Sequence, residues 1–119
     1  MKEFVDAYGW PTVDMVASDG TRAAWLLVQH ADHDVAFQRQ CLDHMKKLVD
    51  SKQVYASDVA YLTDRVKVNE GKPQVYGTQF HMVENELVPR RMIDPSNVDK
   101  RRASMGLGTL EDYRKMMLM

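Results

Sequence analysis

Thiol chemistry is nearly absent from this chain, which has one cysteine, Cys41. A lone thiol excludes an intramolecular disulfide and a thiolate zinc cluster, and it fits a reducing cytoplasm. Long apolar runs are missing too, and the opening MKEFVDAYGWP has no apolar signal core. Nothing approaches the roughly 18 residues a span needs, so a soluble cytoplasmic protein with no membrane partner is expected. Neither sign of charge dominates: 16 Lys and Arg stand against 17 Asp and Glu. Without a basic stripe, nucleic acid is not expected as a partner, whereas a near-neutral small protein often associates with itself. Repeats, low-complexity linkers, a nucleophile triad and a cofactor fingerprint are also lacking, and no cofactor is expected.

What remains suits one domain over residues 1–119, long enough to bury a core. Nine methionines are many for this length, three of them in the terminal MMLM. Their unbranched side chains make a pliable apolar surface, either in the core or on a dimer or ligand face.

Periodicity predicts about six helices and one short β-hairpin, a mostly α, α+β domain. YGWPT reads as a turn into a short helix, with Pro11 where a missing N–H is harmless. That helix runs to Ala17 and breaks at Asp19-Gly20; a second, apolar on every side and therefore buried, runs from Thr21 to Ala31. Asp34 caps a third helix with Phe37, Cys41, Met45 and Leu48 on one face. Ser57 caps a fourth, carrying Val59, Leu62 and Val66 and stopped by NEGKP. TQFHMV and ELVPRRMI flank Glu84-Asn85 as a hairpin, with Pro89 confined to an edge. Asp94 then caps a helix starting at Pro95 and ending at Gly106, and Thr109 with Asp112 opens the last one.

The stretch AAWLLVQHADHDVAFQ sets a polar cluster directly after an apolar run. On a helix Trp25 and Gln29 share a face with Asp32 or His33, and Leu26 and His30 share the next. These polar groups either satisfy carbonyls and caps at a helix end or enter a site where partners are scarce. His30, His33, Asp34 and His44 are metal-ligand types, but His30 and His33 are three apart instead of the four of the zinc helix signature, so no metal is expected. His30 is better suited to act as acid, base or donor. In YLTDRV, Asp64 and Arg65 point in different directions; each forms a solvated ion pair, or Arg65 holds a ligand carboxylate or carbonyl in its planar fork. GKPQVYGTQF offers Gln74, Tyr76 and Gln79 from a glycine-bounded loop, neutral groups suited to orienting a peptide. Tyr8 and Trp10 supply an aromatic wall or a structural staple.

YGWPT, AAWLLVQHAD, YLTDRV, NEGKPQVYGTQF and DPSNVDKRRASMGL, in this order between Tyr8 and Tyr113, resemble a widespread bacterial family of small domains of unknown function. More narrowly, the short chain is similar to the stand-alone lysinoalanine-forming proteins of cinnamycin- and duramycin-type lanthipeptide biosynthesis. That resemblance implies a Michael addition of a lysine amine to a dehydroalanine in a modified lanthipeptide. Neutralising lysine at pH 7 costs roughly 4.6 kcal/mol, and holding amine and alkene together is worth roughly 7 to 11 kcal/mol in the best cases. On that reading Gln29, His30, Arg65 and Gln79 orient the peptide and polarise its carbonyl, and Asp32 or Asp64, or a group of the substrate, takes the proton. A pocket at the interface of a homodimer follows from the small size of the chain. The alternatives are an immunity or regulatory module that binds without catalysis, and a small hydrolase or isomerase using His30.

Overall fold

The computed structural model describes Lys2, Val5, Asp6, Gly9, Trp10, residues 13–49, Ser51 and residues 54–118, with the side chains of residues 13–19 and 21 left aside. Among these the elements are α1 (Val13–Gln29), α2 (Val35–Leu48), α3 (Ala56–Asn69), strands β1 (Phe80–Val83) and β2 (Glu86–Pro89), a 3₁₀ turn (Pro95–Asn97), α4 (Val98–Ser104) and α5 (Leu110–Leu118). Lys2, Val5 and Asp6 are also helical. The expected mostly helical domain with one hairpin is therefore what forms. Tyr8 and Pro11 lie outside the described residues.

Three helices make the core. Ala24 and Val28 of α1, Phe37, Cys41, Leu42 and Met45 of α2, and Val59, Leu62 and Val66 of α3 are buried together with Val5, Trp10 and Val54. The three- and four-residue spacings on α2 and α3 place these side chains on one stripe of each helix. Burial pushes the Cys41 thiol up to about 12, so it stays protonated and acts as a small hydrophobe.

α1 departs from expectation twice. It runs unbroken through Asp19-Gly20. A glycine inside a helix costs only about 1 kcal/mol relative to alanine, a cost that a helix packed against two others tolerates. Nor is it buried on every side: Leu26 and Leu27 are 49% and 64% exposed. α2 and α3 cover one side of α1, and the opposite side carries its leucines into solvent.

The helix ends are set by a mixture of local and distant groups. Asp34 caps α2 as expected, accepting from the Phe37 N–H at 3.1 Å. The closing carbonyls of α1 are met from another helix: buried Gln38 donates to Val28 O at 3.0 Å and Gln29 O at 3.4 Å. α3 starts one residue before Ser57, with Tyr55 at the cap position and no side-chain cap bond, so Ser57 is not the cap. Its far end closes as NEGKP suggests. Gly71 N–H reaches Val68 O, Lys72 N–H reaches Lys67 O, and Gly71 takes the left-handed φ of 75° that this pattern requires. Asp94 makes no side-chain cap bond either; its carboxylate accepts from the side chains of Ser96 and Asn97, and Pro95 opens a 3₁₀ turn ahead of α4. Thr109 accepts from Asp112 N–H at the start of α5.

β1 and β2 pair antiparallel with Phe80 opposite Pro89 and Val83 opposite Glu86. Glu84 and Asn85 both have positive φ, 51° and 67°, as a two-residue hairpin turn of matching twist demands. The loop from Gln74 to Gln79 joins this hairpin to α3, and Gly77 sits at its tightest point. A Cβ there would lie 2.8 Å from Leu110 Cδ1 and 3.4 Å from Val98 Cγ2, and the φ is 65°. Gly77→Ala is expected to lower unfolding stability by more than the roughly 1 to 2 kcal/mol of left-handed strain alone. Gly71→Ala, where a Cβ meets nothing within 4 Å, isolates the strain part. Equal losses for the two variants in urea unfolding would contradict the close approach.

Candidate functional site

A glutamine, two aspartates and an arginine that stand near one another in the sequence motifs play quite different parts in space. Asp64 is fully buried, and its two carboxylate oxygens accept four hydrogen bonds, from Val75 N–H at 2.8 Å, Tyr76 N–H at 2.9 Å, Thr78 N–H at 2.9 Å and the Thr78 hydroxyl at 2.8 Å. A carboxylate so occupied organises the loop and has no oxygen free to take a proton from a ligand. Asp64 as catalytic base is thereby corrected to a structural role. Buried Arg102 takes the other side of the same loop, donating to Tyr76 O at 2.9 Å, Gly77 O at 3.3 Å and Gly108 O at 2.6 Å.

Gln74 is corrected in the same way. It is fully buried; its amide donates to Gln79 O at 2.9 Å and Arg90 O at 2.8 Å and accepts from Gln79 N–H at 2.9 Å, leaving nothing exposed for a peptide. Trp10 is 2% exposed and belongs to the core, a staple instead of a wall. Tyr76 is half-buried, its N–H is held by Asp64, and burial raises the pKa of its phenol. His30 is exposed and makes no hydrogen bond or ion pair through its ring among the described residues. Nothing there orients an imidazole for acid–base work.

The residues that do converge are Asp32, Arg65 and Gln79. Arg65 Nε donates to Asp32 Oδ1 at 2.9 Å, its Nη2 pairs with Oδ2, and its Nη1 donates to Gln79 Oε1 at 3.1 Å. This is the planar fork gripping a carboxylate with a donor to spare. Asn69, one turn along α3, bridges Asp32 Oδ1 at 2.8 Å and Gln38 Oε1 at 3.0 Å. The Asp32 and Arg65 side chains keep 42% and 30% of their surface exposed, so the pair faces solvent on one side. The Arg65 hydrogen bonds, with help from Asn69 and Gln38, hold the Asp32 carboxyl down at about 2. It is a permanent anion at neutral pH and a poor base.

Gln29 enters the cluster from behind. It is 6% exposed, and its amide donates to Tyr61 O at 3.3 Å, one turn before Arg65, while its Oε1 is buried without a hydrogen-bond partner among the described residues. The Trp25 indole N–H, one turn earlier on α1, is likewise buried and unpaired. Trp25 meets Tyr61 edge-to-face at 5.9 Å, Tyr61 meets Tyr113 at 6.1 Å, and Tyr113 meets Phe80 at 5.8 Å. Burial raises the pKa of the Tyr113 phenol, which donates to Thr78 O at 3.2 Å. Tyr61 and Tyr113 continue into a cleft of about 230 Å³ walled also by Leu107, Thr109, Asp112 and Met116. The site is thus a half-exposed ion pair with amide neighbours, bordered by an aromatic row.

Sequence reasoning missed Tyr61, Asn69, Gln38 and Tyr113. A signal for Tyr61 and Asn69 exists, since both lie four residues from Arg65 and so share its face of α3. Nothing local marks Gln38 or Tyr113. The one described carboxyl whose pKa is lifted toward neutrality, Asp58 at about 6, is raised by burial against the opposing pull of Arg22 at 2.8 Å. At 2% exposure it stands apart from the open cluster. Among the described residues no group of three or more His, Cys, Asp or Glu side chains is placed to hold a metal ion.

A pH dependence follows from the Asp32–Arg65 pair. The folded carboxyl titrates near 2, below the value of about 3.9 in an unfolded chain, so its stabilisation is present above pH 4 and is lost as the pH falls toward 2. Arg65→Ala should return the Asp32 titration to within about a unit of 3.9, followed by carboxyl NMR. The stability gap between the two proteins, under about 1 kcal/mol for so exposed a pair, should close over the same window. An Asp32 titration unmoved by the substitution would refute the pairing.

Two searches, one of curated proteins and one of solved structures, return no significant match. A sequence model described as a family of unknown function, DUF6624, matches residues 1–118. No helix among the described residues is long and apolar enough to cross a membrane. The polar cluster just described is therefore a feature of a chain that belongs to the DUF6624 family.

Proposed function

We propose that this chain binds a modified lanthipeptide across the Asp32–Arg65–Gln79 cluster and the Tyr61–Tyr113 cleft, and closes a lysinoalanine bridge in it by positioning. The observation that supports binding there is the half-exposed Arg65 fork, held flat by Asp32 and Gln79 beside an aromatic cleft. The reaction is drawn from the resemblance of the sequence motifs to lysinoalanine-forming proteins. In it the lysine Nζ, after losing a proton, attacks Cβ of dehydroalanine; a C–N bond forms, the alkene π pair moves to Cα, and Cα takes up a proton. Atoms are conserved and no cofactor is needed.

The cluster suits positioning better than proton abstraction. Asp32 is held near 2, Asp64 is saturated and Asp58 is enclosed, so the acceptor for the lysine proton is assigned to the substrate. Arg65 and Gln79 would then polarise the dehydroalanine carbonyl as the enolate develops. Rates in such a mechanism fall by degrees when single residues are removed, because no side chain is indispensable.

A second reading, a peptide-binding module without catalysis, is favoured by the same lack of an available base. The hydrolase or isomerase built on His30 has no geometric support. The dimer belongs to this proposal: Met116 and Leu118, each 60% exposed at the end of α5, form an adaptable apolar face beside the cleft.

Incubation with a dehydroalanine-containing lanthipeptide separates the readings. Bridge formation leaves the intact mass unchanged but abolishes thiol addition to the alkene, and Arg65→Ala should slow it by about tenfold to a thousandfold, as removal of one oxyanion donor does. Saturable binding with the alkene still thiol-reactive would establish the module instead. Sedimentation of a monomer at micromolar concentration would remove the dimer.

A further inference from the structure

A second cleft of about 230 Å³ is lined by Val68, Lys72, His81, Arg90 and Arg91. Three permanent cations and an imidazole border it. The sole acidic side chain that ion-pairs with any of the four among the described residues is Glu70, 3.6 Å from Lys72 and already engaged by Arg39 at 3.2 Å. Neither the Arg90 guanidinium nor the His81 ring has a protein partner among the described residues, and Arg91 uses one Nη on Gly71 O at 3.2 Å. Like charges repel at this proximity, and a chain whose net charge is −1 had acidic residues with which to pair them.

The backbone beneath these side chains is fixed. Buried Gln74 donates its amide to Arg90 O at 2.8 Å and its own N–H to Arg91 O at 2.9 Å, and Arg90 N–H reaches Gln79 O at 2.9 Å. Lys72 is held by the α3 terminus through its N–H to Lys67 O at 2.8 Å, and His81 by the pairing of β1 with β2 opposite Val88. Three cationic side chains and an imidazole, from three segments, are thus held on rigid backbone around one opening, which lowers the entropy lost when an anion is bound.

We propose that this cleft is a binding site for a phosphate-type dianion, either free phosphate or the terminal group of a phosphate monoester. A carboxylate brings one charge and two acceptor oxygens. A phosphate brings about two charges and at least three acceptor oxygens, enough for the Arg90 fork, the Lys72 ammonium and a ring N–H of His81 together. The cleft shares no lining residue with the Asp32–Arg65–Gln79 cluster, and its test does not involve the peptide reaction.

Titration of the ¹⁵N-labelled full chain with inorganic phosphate, phenyl phosphate and acetate tests the assignment. Saturable shifts at the amides of Lys72, His81, Arg90 and Arg91 are expected with both phosphates, and acetate should bind at least about tenfold more weakly. Tighter binding of phenyl phosphate identifies a monoester as the ligand, and equal binding identifies free phosphate. Arg90→Gln, a surface change that breaks no contact within the fold, should weaken phosphate about tenfold or more while leaving the amide spectrum elsewhere unchanged. Lys72→Gln should act in the same direction. Absence of saturation at millimolar phosphate, shifts equal to those with acetate, or undiminished binding by Arg90→Gln would each overturn the proposal.

Discussion

The structure depends on a loop clamped between two buried charges of opposite sign. Asp64 collects the N–H groups of residues 75, 76 and 78, and Arg102 collects the carbonyls of residues 76 and 77. Each charge is expensive to bury alone, and each is satisfied by peptide groups that would themselves be costly to bury unpaired. The Arg102 guanidinium also lies 5.0 Å from the Tyr113 ring. Because Asp64 belongs to the three-helix core and Arg102 to α4, the clamp ties the C-terminal part of the chain to the helices, alongside Met105 packed on the core and Tyr113 on Tyr61.

Both candidate sites inherit their geometry from this clamp. Gln79 emerges from one end of the loop to meet Arg65, while Gln74 at the other end holds the main chain of Arg90 and Arg91. Charged residues inside the fold are therefore scaffold, and the half-exposed ones are available to a ligand. That division explains why Asp32 and Arg65 differ so much from their neighbours in sequence: the pair spends part of its hydrogen-bonding capacity on itself and keeps part open to solvent. An arginine fork flattened by a permanently ionised aspartate suits recognition and carbonyl polarisation better than proton transfer.

Features written within a few residues were legible. The Asp34 cap, the Gly71 ending of α3, the Glu84-Asn85 turn and the Thr109 cap each need only a local conformation and a near partner. Local reading failed where distant packing overrode propensity. Asp19-Gly20 has the look of a helix break, yet α1 continues through it because the helix is packed against two others. Gln74 lies between two loop glycines, the composition of a binding loop, and Asp64 stands beside Arg65 on a helix; only coordinates reveal that the polar side-chain atoms of both are already spent. Gln38 closing the end of α1, and Tyr113 meeting Tyr61 across more than fifty positions, leave no local trace.

By itself the sequence determined the kind and order of the elements, the helix stripes that make the core, and the turn chemistry that joins them, since these follow from side-chain spacing and from the conformations open to Gly, Pro, Asn and Asp. Tertiary structure alone decided which polar residues are scaffold and which are exposed. A side chain's exposure and hydrogen-bond partners depend on segments brought together from far along the chain, and residue type does not specify those partners.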